Sequence, residues 1–450
     1  MNRRHQERGL GPAAPAPDTA PPGRHRLSRL TGAAPRRRPR RRPLRRVVRL
    51  LLIVGPGIIA ANAGNDAGGI ATYSQAGAAT GYSLLWALVL ITISVTVVQE
   101  MVARIGVTTG KELMSLIREE FPIGWTMAAA AAVLIANGGT VIAEFAGVGA
   151  AFQVLGLPPQ LSAPVTGLLI GFLVLRSGYQ RVERVFLALG AVFVAYLVTA
   201  VLVHPDWGQV AHGVVVPTFS LHPGFLYLFI AFIGTSISPY MQIYLQSAVV
   251  EKGTPASDYR MVRLEVITSS IFADLVAAAI VITVAATLHA HGITTVRTAA
   301  QAASALAPLA GTSARILFAV GLLGASLLAA GVLPLSTASA VAEAFGTERG
   351  VSASPRDARL FYTIFVGLLV VGGLVVLIPG LNLITVLIAT QLVNGILLPV
   401  ILVFLLRLVN NRRLMGDRVN GRWLNLIAGS VAAVLIVLTA ALVVTTLAGA

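Results

Sequence analysis

The chain has 450 residues, of which 56% are hydrophobic and only 12% charged, and its formal net charge is +16 at pH 7. So little polar surface excludes a soluble globular protein of this size and indicates an all-α integral membrane protein with many spans. Because the chain has no cysteine, disulfides, thiolate metal sites and catalytic thiols are excluded. The sequence contains no phosphate-binding loop, HExxH metal motif or GxSxG nucleophile motif, so it predicts neither an enzyme nor an ATP-driven pump.

Residues 1–48 differ in composition from the rest of the chain. They are rich in Pro, Ala, Gly and Arg and end in PRRRPRRRPLRR, and such a segment cannot bury enough apolar area to fold. We predict a disordered cytoplasmic arm, followed by a transmembrane domain at 49–450. The arginines stop just before the first apolar run, which favours a topology signal that also contacts anionic lipids. A start codon assigned too far upstream is the alternative, and nucleic acid is not an expected partner because no aromatic residues interleave with the arginines.

Apolar runs of about 20 residues predict eleven membrane-spanning helices. Their approximate limits are 50–78, 82–103, 125–152, 160–176, 185–203, 223–249, 265–288, 315–343, 360–379, 382–406 and 423–447. Ten or twelve spans are alternatives, because the run at 315–343 is long and the PGLN turn near Pro379 is tight. With a cytoplasmic N-terminus, all of the 34 Lys and Arg residues except Arg297 and Arg315 fall on the cytoplasmic side. We therefore expect a multi-pass plasma-membrane protein with its C-terminus outside.

The first predicted span contains a carboxylate, Asp66, within the string GNDAGG. An acid at membrane depth is costly without a partner and marks a functional site. Gly64, Gly68 and Gly69 weaken helical continuity around it, and non-helical backbone is tolerated there only if it lines a cavity or is buried in protein. The alternative is a helix-packing cluster with a neutral Asp66, but neighbouring asparagines add polarity that packing does not need.

The sixth predicted span carries a second interruption, GTSISPYMQ, at residues 234–242. Pro239 removes a backbone donor, and nearby hydroxyls can bond to the freed groups; an ordinary proline kink is the alternative. Because five helices separate the two interruptions, the pattern indicates two inverted five-helix repeats, at about 49–204 and about 222–410, plus an eleventh helix at about 423–447. The ion or substrate site is expected at the midplane, where the two breaks face each other.

Several segments resemble the Nramp divalent-metal transporters. GPGIIAANAGNDAGGIATYSQAGAATGYSLLW, residues 55–86, resembles their first two helices, where the break reads DPGN. GTSISPYMQIYLQS resembles their sixth helix, where the family reads GATVMPHN; VTTGKEL and NRRLMG are similar to the loops after the second and tenth helices. The resemblance covers about residues 47–450. It implies a leucine-transporter-type fold with helices 1 and 6 broken, and a divalent metal ion as the transported partner.

The resemblance also implies which residues contact the ion. The implied metal positions are Asp66, Gly69, Thr235, Ser238, Gln391 and Asn394, and a possible proton relay comprises Glu144 and Tyr240. For Gln391 and Asn394, interhelical hydrogen bonding is an alternative. The chain departs from the family where Gly69 replaces a metal-binding Asn, Ser238 a Met, Tyr240 a His and Val141 an Asp. These departures look like the Nramp-related magnesium transporters.

The chemistry of these departures favours a hard cation. Replacing a thioether with a hydroxyl leaves only oxygen ligands, so selection against Mg²⁺ is lost. Smaller side chains also widen the site, which suits an ion that keeps some of its waters. We expect import of Mg²⁺, with Mn²⁺ tolerated, by alternating access, without proton coupling and without a cofactor. The alternatives are a proton-coupled Mn²⁺/Fe²⁺ carrier and a membrane metal sensor that does not transport; an intramembrane hydrolase lacks a paired nucleophile and base.

The remaining polar residues of the predicted spans leave few other candidates. Asp274 is either a second ion-attracting charge or a satisfied structural acid. Glu100 is expected to pair with Arg104 at i+4. Five histidines fall in or beside outward loops and are expected to be solvated: His204, His212, His222, His289 and His291.

Overall fold

The computed structural model describes residues 65–175, 191–253, 255–350 and 353–448. The predicted arm at 1–48 and the first part of span one therefore lie outside the described residues. The same holds for the start of span five. Statements about the fold below concern the described part of the chain.

The described residues form α-helices joined by short turns and 3₁₀ segments. In chain order, the α-helices are α1 (Ala67–Thr80), α2 (Leu85–Thr109), α3 (Leu113–Glu120), α4 (Ile123–Val154), α5 (Pro159–Leu175), α6 (Ala195–Leu202), α7 (Trp207–Val215), α8 (Pro223–Ser236), α9 (Pro239–Glu251), α10 (Tyr259–Thr287), α11 (Ala299–Ser304), α12 (Ala307–Ala310), α13 (Ala314–Phe345), α14 (Arg359–Val376), α15 (Leu383–Val409), α16 (Arg412–Met415) and α17 (Arg422–Leu447).

Eight helical stretches within the described residues are long and apolar enough to cross a membrane. They correspond to predicted spans two, three and six to eleven. Spans one, four and five correspond to α1, α5 and α6, which adjoin residues that are not described, so a total of eleven stays a prediction. The long run at 315–343 forms one helix, α13, and the turn after Pro379 separates α14 from α15, with Gly380 at a φ of 76°.

The predicted interruption of span six is a true break in the helix. α8 ends at Ser236 and α9 begins at Pro239, whose ring nitrogen has no hydrogen to donate to the preceding turn. Between them, Ile237 leaves helical geometry with φ −126° and ψ 71°. Ser238 then caps α9, since its Oγ accepts a hydrogen bond from the Met241 N–H at 3.5 Å. The break therefore has its own capping residue, and the alternative interpretation of this segment as an ordinary proline kink is wrong.

Helix α1 begins inside the GNDAGG string. Asp66 is extended, with φ −68° and ψ 176°, and caps the N-terminus of α1. Gly68 and Gly69 lie in the first turn of α1, while the part of span one before residue 65 lies outside the described residues. A helix can begin where an acceptor side chain satisfies its free N–H groups, and Asp66 provides that acceptor.

Contacts between helices place the start of α1 and the break between α8 and α9 in the protein interior. α15 packs against α1, α4 and α8, while α10 packs against α1 and α2. α17 lies against α15 and α8 with much of its outer face exposed. The broken segments are thus enclosed by helices that are themselves largely buried, which is where irregular backbone can persist in a membrane.

The ion pair predicted between Glu100 and Arg104 is confirmed. Arg104 Nη2 lies 3.2 Å from Glu100 Oε2, and both side chains are buried. The hydroxyl of Tyr259 donates to Glu100, and Arg104 donates to Asn420. This cluster joins the end of α2 to the start of α10 and to the segment before α17, so a structural role accounts for Glu100.

Candidate functional site

The carboxylate of Asp66 contacts both α1 and α15. Its Oδ1 accepts a hydrogen bond from the Gly69 N–H at 2.6 Å and lies 3.5 Å from the amide nitrogen of Gln391. The side chain is buried, and it stands at the N-terminus of α1, where free N–H groups and the helix dipole favour negative charge. Asp66 is therefore fixed in position and faces the protein interior.

Gln391, on α15, lies between the two breaks. A Cβ added to Gly68 of α1 would lie 1.8 Å from Gln391 Nε2. One added to Gly234 of α8 would lie 2.3 Å from the backbone carbonyl oxygen of Gln391. The absence of side chains at these two glycines lets α15 approach both broken helices closely. Gln391 is therefore a neighbour of both α1 and α8, while a shared ion site stays a prediction.

The amide of Gln391 is oriented by Asn394, one turn further along α15. The Nδ2 of Asn394 donates to Gln391 Oε1 at 2.9 Å and to Thr140 Oγ1 of α4 at 3.0 Å. With its oxygen engaged, Gln391 turns its amino group towards Asp66. The interhelical hydrogen bonding left open by the sequence is thus present, and it joins Asn394 to the same cluster as Asp66.

The residues around the break in span six supply hydroxyl groups and backbone carbonyls. Thr235 and Ser238 are both buried. Gln242 donates to the Ser238 carbonyl at 3.3 Å, which supports the start of α9. The hydroxyls of Tyr73 in α1 and Ser236 in α8 lie 2.8 Å apart, so a direct hydrogen bond ties the first broken helix to the second.

The two residues of the possible relay lie on different helices. Glu144 of α4 is fully buried beside the Ala67 N–H and the Ser326 hydroxyl, yet neither of its carboxylate oxygens has a hydrogen bond of normal geometry. Tyr240 is buried at the start of α9, and its ring lies against Tyr244 at 5.8 Å between centroids. Val141 is buried one turn before Glu144 and has no titratable group.

Three residues of this cluster escaped the sequence reasoning. They are Tyr73, Thr140 and Gln242. Thr140 precedes Glu144 by four residues, so helical spacing alone places both on one face of α4. Gln242 closes the GTSISPYMQ string and is fully buried. A search for polar residues one turn from each candidate acid or break would have found both.

The donor set suits a passing cation better than a resident metal. Among the described residues, no three His, Asp or Glu side chains are placed to hold one ion. A cation at Asp66 would have one carboxylate, hydroxyls, amides and backbone carbonyls around it, all without sulfur.

Two of the five histidines that the sequence places in or beside outward loops make local contacts. His289 contacts the Ala78 carbonyl oxygen at 2.7 Å, and His222 caps α8.

A buried acid at the N-terminus of α1, close to a second helix that is broken between α8 and α9, is characteristic of folds built from inverted repeats. Solved structures share this fold. The manganese transporter of Eremococcus coleocola, in complex with an aromatic bis-isothiourea compound, matches with a TM-score of 0.66 at 22% identity, covering 88% of this chain and 86% of that one. MhsT with bound L-phenylalanine matches with a TM-score of 0.53 at 15% identity over 88% of this chain and 98% of that one. The fold is the leucine-transporter type, with two inverted five-helix repeats.

The family follows from sequence. The profile described as natural resistance-associated macrophage protein-like, or Nramp, matches residues 57–445, so the chain belongs to the Nramp family. The divalent metal cation transporter MntH of Klebsiella pneumoniae is 31% identical over 411 residues, 89% of this chain and 95% of that protein. The MntH of Deinococcus radiodurans is 35% identical over 301 residues, covering 63% of this chain and 67% of that protein.

Proposed function

We propose that this protein is a secondary transporter that imports a hard divalent cation, Mg²⁺ foremost and Mn²⁺ as well, by alternating access and without proton coupling. Membership of the Nramp family supports divalent-metal transport, because the similar proteins of Klebsiella and Deinococcus are named divalent metal cation transporters. The transported ion is the substrate, and the proposal includes no cofactor.

The observation that carries the proposal is the buried Asp66 carboxylate beside Gln391, which contacts both broken helices. We assign the ion to this place, with Gly69, Thr235, Ser238 and Asn394 around it. A single carboxylate surrounded by carbonyls, amides and hydroxyls suits an ion that retains several waters, as Mg²⁺ does.

Selectivity for a hard ion is proposed from the absence of sulfur at this place. Ser238 caps α9 with a hydroxyl at the position where the resemblance puts a thioether. The neighbouring Met241 lines a separate cavity beside Asp274. Without a soft ligand, the site has no means of preferring Mn²⁺, Fe²⁺ or Cd²⁺ over the more abundant Mg²⁺.

Transport without protons is proposed from the side chains that replace the family's titratable residues. Val141 cannot carry a proton, and Tyr240 is a poor proton carrier near neutral pH. A proton-coupled Mn²⁺/Fe²⁺ carrier is the second candidate, and the buried Glu144 beside Ala67 favours it. A relative solved as a manganese transporter also favours that candidate.

We further propose that the protein lies in the plasma membrane with its N-terminus in the cytoplasm and its C-terminus outside. The distribution of Lys and Arg supports this orientation, since all except Arg297 and Arg315 then face inward. The basic residues before span one would then meet the anionic lipids of the inner leaflet.

Uptake by purified protein in liposomes tests the proposal. Mg²⁺, Mn²⁺ and Cd²⁺ are compared at one membrane potential and at two pH gradients, with protein-free liposomes as control. We expect all three ions to enter, with Mg²⁺ carried at rates similar to Mn²⁺ and with no dependence on the pH gradient. Binding of metal without flux would identify a sensor. Flux of Mn²⁺ but not Mg²⁺ would contradict the proposal and favour the Mn²⁺/Fe²⁺ carrier.

A further inference from the structure

A second buried carboxylate, Asp274 of α10, lies in a separate polar cavity. The cavity lies between α2, α8, α9 and α10, and Asp274 is only 6% exposed. Its Oδ2 is buried and has no hydrogen-bond partner. None of the residues that line the cavity is basic, so no protein cation balances this carboxylate from the cavity wall.

The serine hydroxyls of the cavity donate to neighbouring protein groups, which leaves their oxygens as acceptors. The hydroxyl of Ser269 donates to the Glu265 carbonyl at 2.7 Å, and that of Ser270 donates to Gln99 Oε1 at 3.0 Å. The hydroxyl of Ser236 lies 3.3 Å from the Phe232 carbonyl, to which it can only donate. Their hydrogens are therefore directed away, and lone pairs of oxygen remain for the cavity.

Thr92 follows the same pattern at the edge of the site. It approaches the Asp274 carboxylate, but its hydroxyl donates to the Leu88 carbonyl at 2.8 Å. The cavity thus presents a carboxylate, the side-chain carbonyl of Gln99 and several hydroxyl oxygens. A buried carboxylate oxygen without a hydrogen-bond partner, as Asp274 Oδ2 is, is costly unless a cation or an additional hydrogen lies beside it.

Size and charge indicate which cation fits. The free volume of the cavity is about 10 Å³, close to the space that one water molecule needs. An entering ion must therefore lose most of its waters, which Mg²⁺ does reluctantly. A divalent ion would also leave one uncompensated buried charge beside a single carboxylate, whereas a monovalent ion leaves none.

We propose that Asp274, with Gln99, Ser236, Ser269 and Ser270, binds a hard monovalent cation of the size of Na⁺. The ion would join α2, α8 and α10 next to the break in span six, because its ligands come from those three helices. Asn65, adjacent to Asp66, donates to the Ala273 carbonyl at 3.3 Å, so this site is mechanically connected to the start of α1. The proposal does not depend on the identity of the transported metal.

Binding of ²²Na⁺ to the purified full chain tests this site. We expect saturable binding of one Na⁺ per chain, weakened by at least about tenfold in Asp274→Asn, since even an outer ligand contact is commonly worth that much. Asp66→Asn should bind Na⁺ as wild type does, so failure of the Na⁺ site and failure of the divalent site are distinguishable. Asp206→Asn, an exposed acid outside both sites, is the matched control.

A second measurement covers the case in which Asp274→Asn does not fold. The melting temperature of the wild type is compared in NaCl, KCl and N-methylglucamine chloride at equal ionic strength. We expect the protein to melt highest in NaCl, as a ligand of the folded state requires, and Ser236→Ala to reduce that difference. Equal melting temperatures in the three salts, or ²²Na⁺ binding unchanged by Asp274→Asn, would overturn the proposal and leave Asp274 as a protonated structural acid.

Discussion

Asp66 combines two roles that can be separated by experiment. It caps α1 through the Gly69 N–H, and it offers the carboxylate that we assign to the ion. Asp206 provides a comparison, because it caps α7 in the same manner, accepting from the Gly208 and Gln209 N–H groups at 2.9 and 3.1 Å, but it is exposed. Loss of the Asp66 cap should destabilise the protein by about 0.5–2 kcal/mol, and loss of the Asp206 cap should also be destabilising.

We predict that Asp66→Ala abolishes divalent-ion flux, whereas Asp206→Ala leaves it unchanged. Both variants should lose stability for the reason given above, so a difference in flux reports the ion site alone. The measurement is Mg²⁺ uptake in liposomes at equal protein content, with melting temperature as the control. Normal uptake by Asp66→Ala would remove the site assignment.

Ser238 and Gly69 are predicted to set the preference among ions. The double variant Ser238→Met, Gly69→Asn should raise transport of Cd²⁺ and Mn²⁺ relative to Mg²⁺, because it adds a soft thioether and an amide oxygen. Ser238→Ala, which removes the same cap of α9 without adding sulfur, is the control. The measurement is competition of Cd²⁺ with Mg²⁺ uptake; an unchanged order would show that surrounding residues set the selectivity.

At the level of helices, the site depends on glycines that let α15 approach its neighbours. A Cβ on Gly234 would meet the Gln391 carbonyl oxygen at 2.3 Å and the Gly395 nitrogen at 2.4 Å. These are backbone atoms and cannot move aside as a flexible side chain could. The close contact of α8 with α15 therefore depends on the absence of side chains at Gly234 and Gly395.

We predict that Gly234→Ala lowers stability and greatly reduces flux. Replacing glycine by alanine within a helix normally stabilises it by up to about 1 kcal/mol. Here the added methyl group would push α8 away from α15, which should cost about 1–3 kcal/mol and outweigh that gain. Gly429→Ala in α17, where an added Cβ meets nothing within 4 Å, is the control and should be neutral or stabilising. Melting temperature and uptake are measured for both, and a Gly234→Ala protein as active as Gly429→Ala would contradict this account of the contact.

The sequence predicted most helices and the break in span six because their causes are local. Apolar runs define α4, α13, α15 and α17 to within a few residues, and Pro239 fixes the start of α9. That Gly68 and Gly69 lie within the first turn of α1 was not predicted, because glycine permits a break without requiring one. The cap at Asp66 decided where α1 begins, which composition does not indicate.

The candidate site was predictable only as a set of residues. Asp66 was named as an acid within an apolar run, Gln391 and Asn394 were named with the resemblance, and the structure joins the three in one hydrogen-bonded cluster. The orientation of the Gln391 amide could not be predicted, since it depends on how α4 packs against α15. Likewise, the cavity at Asp274 forms between α2 and the consecutive helices α8, α9 and α10, and α2 is distant from the others in sequence.

At the level of the whole molecule, orientation should depend on the positive charges nearest the first span. Deleting residues 1–40 retains five basic residues, Arg41, Arg42, Arg45, Arg46 and Arg49. We predict that this truncated protein inserts with the same orientation and transports at the same rate, because charge near the end of a span decides its orientation. Accessibility of a cysteine introduced near the C-terminus, measured with an impermeant reagent, reports orientation; inversion would show that the distal arginines are required.

The driving force follows from the charge of the ion. Moving a 2+ ion inward at 100 mV releases about 4.6 kcal/mol, twice the ~2.3 kcal/mol per charge, which corresponds to roughly three orders of magnitude in concentration. The membrane potential alone is therefore sufficient for import, and a proton is not needed.

The most direct test measures Mg²⁺ uptake and luminal pH together in liposomes whose membrane potential is clamped, with Na⁺ equal on both sides. We predict uptake that rises with the negative-inside potential, a luminal pH that stays constant, and the same behaviour in Glu144→Gln. Luminal acidification in proportion to metal entry, lost in Glu144→Gln, would contradict transport without protons and establish the coupled carrier instead.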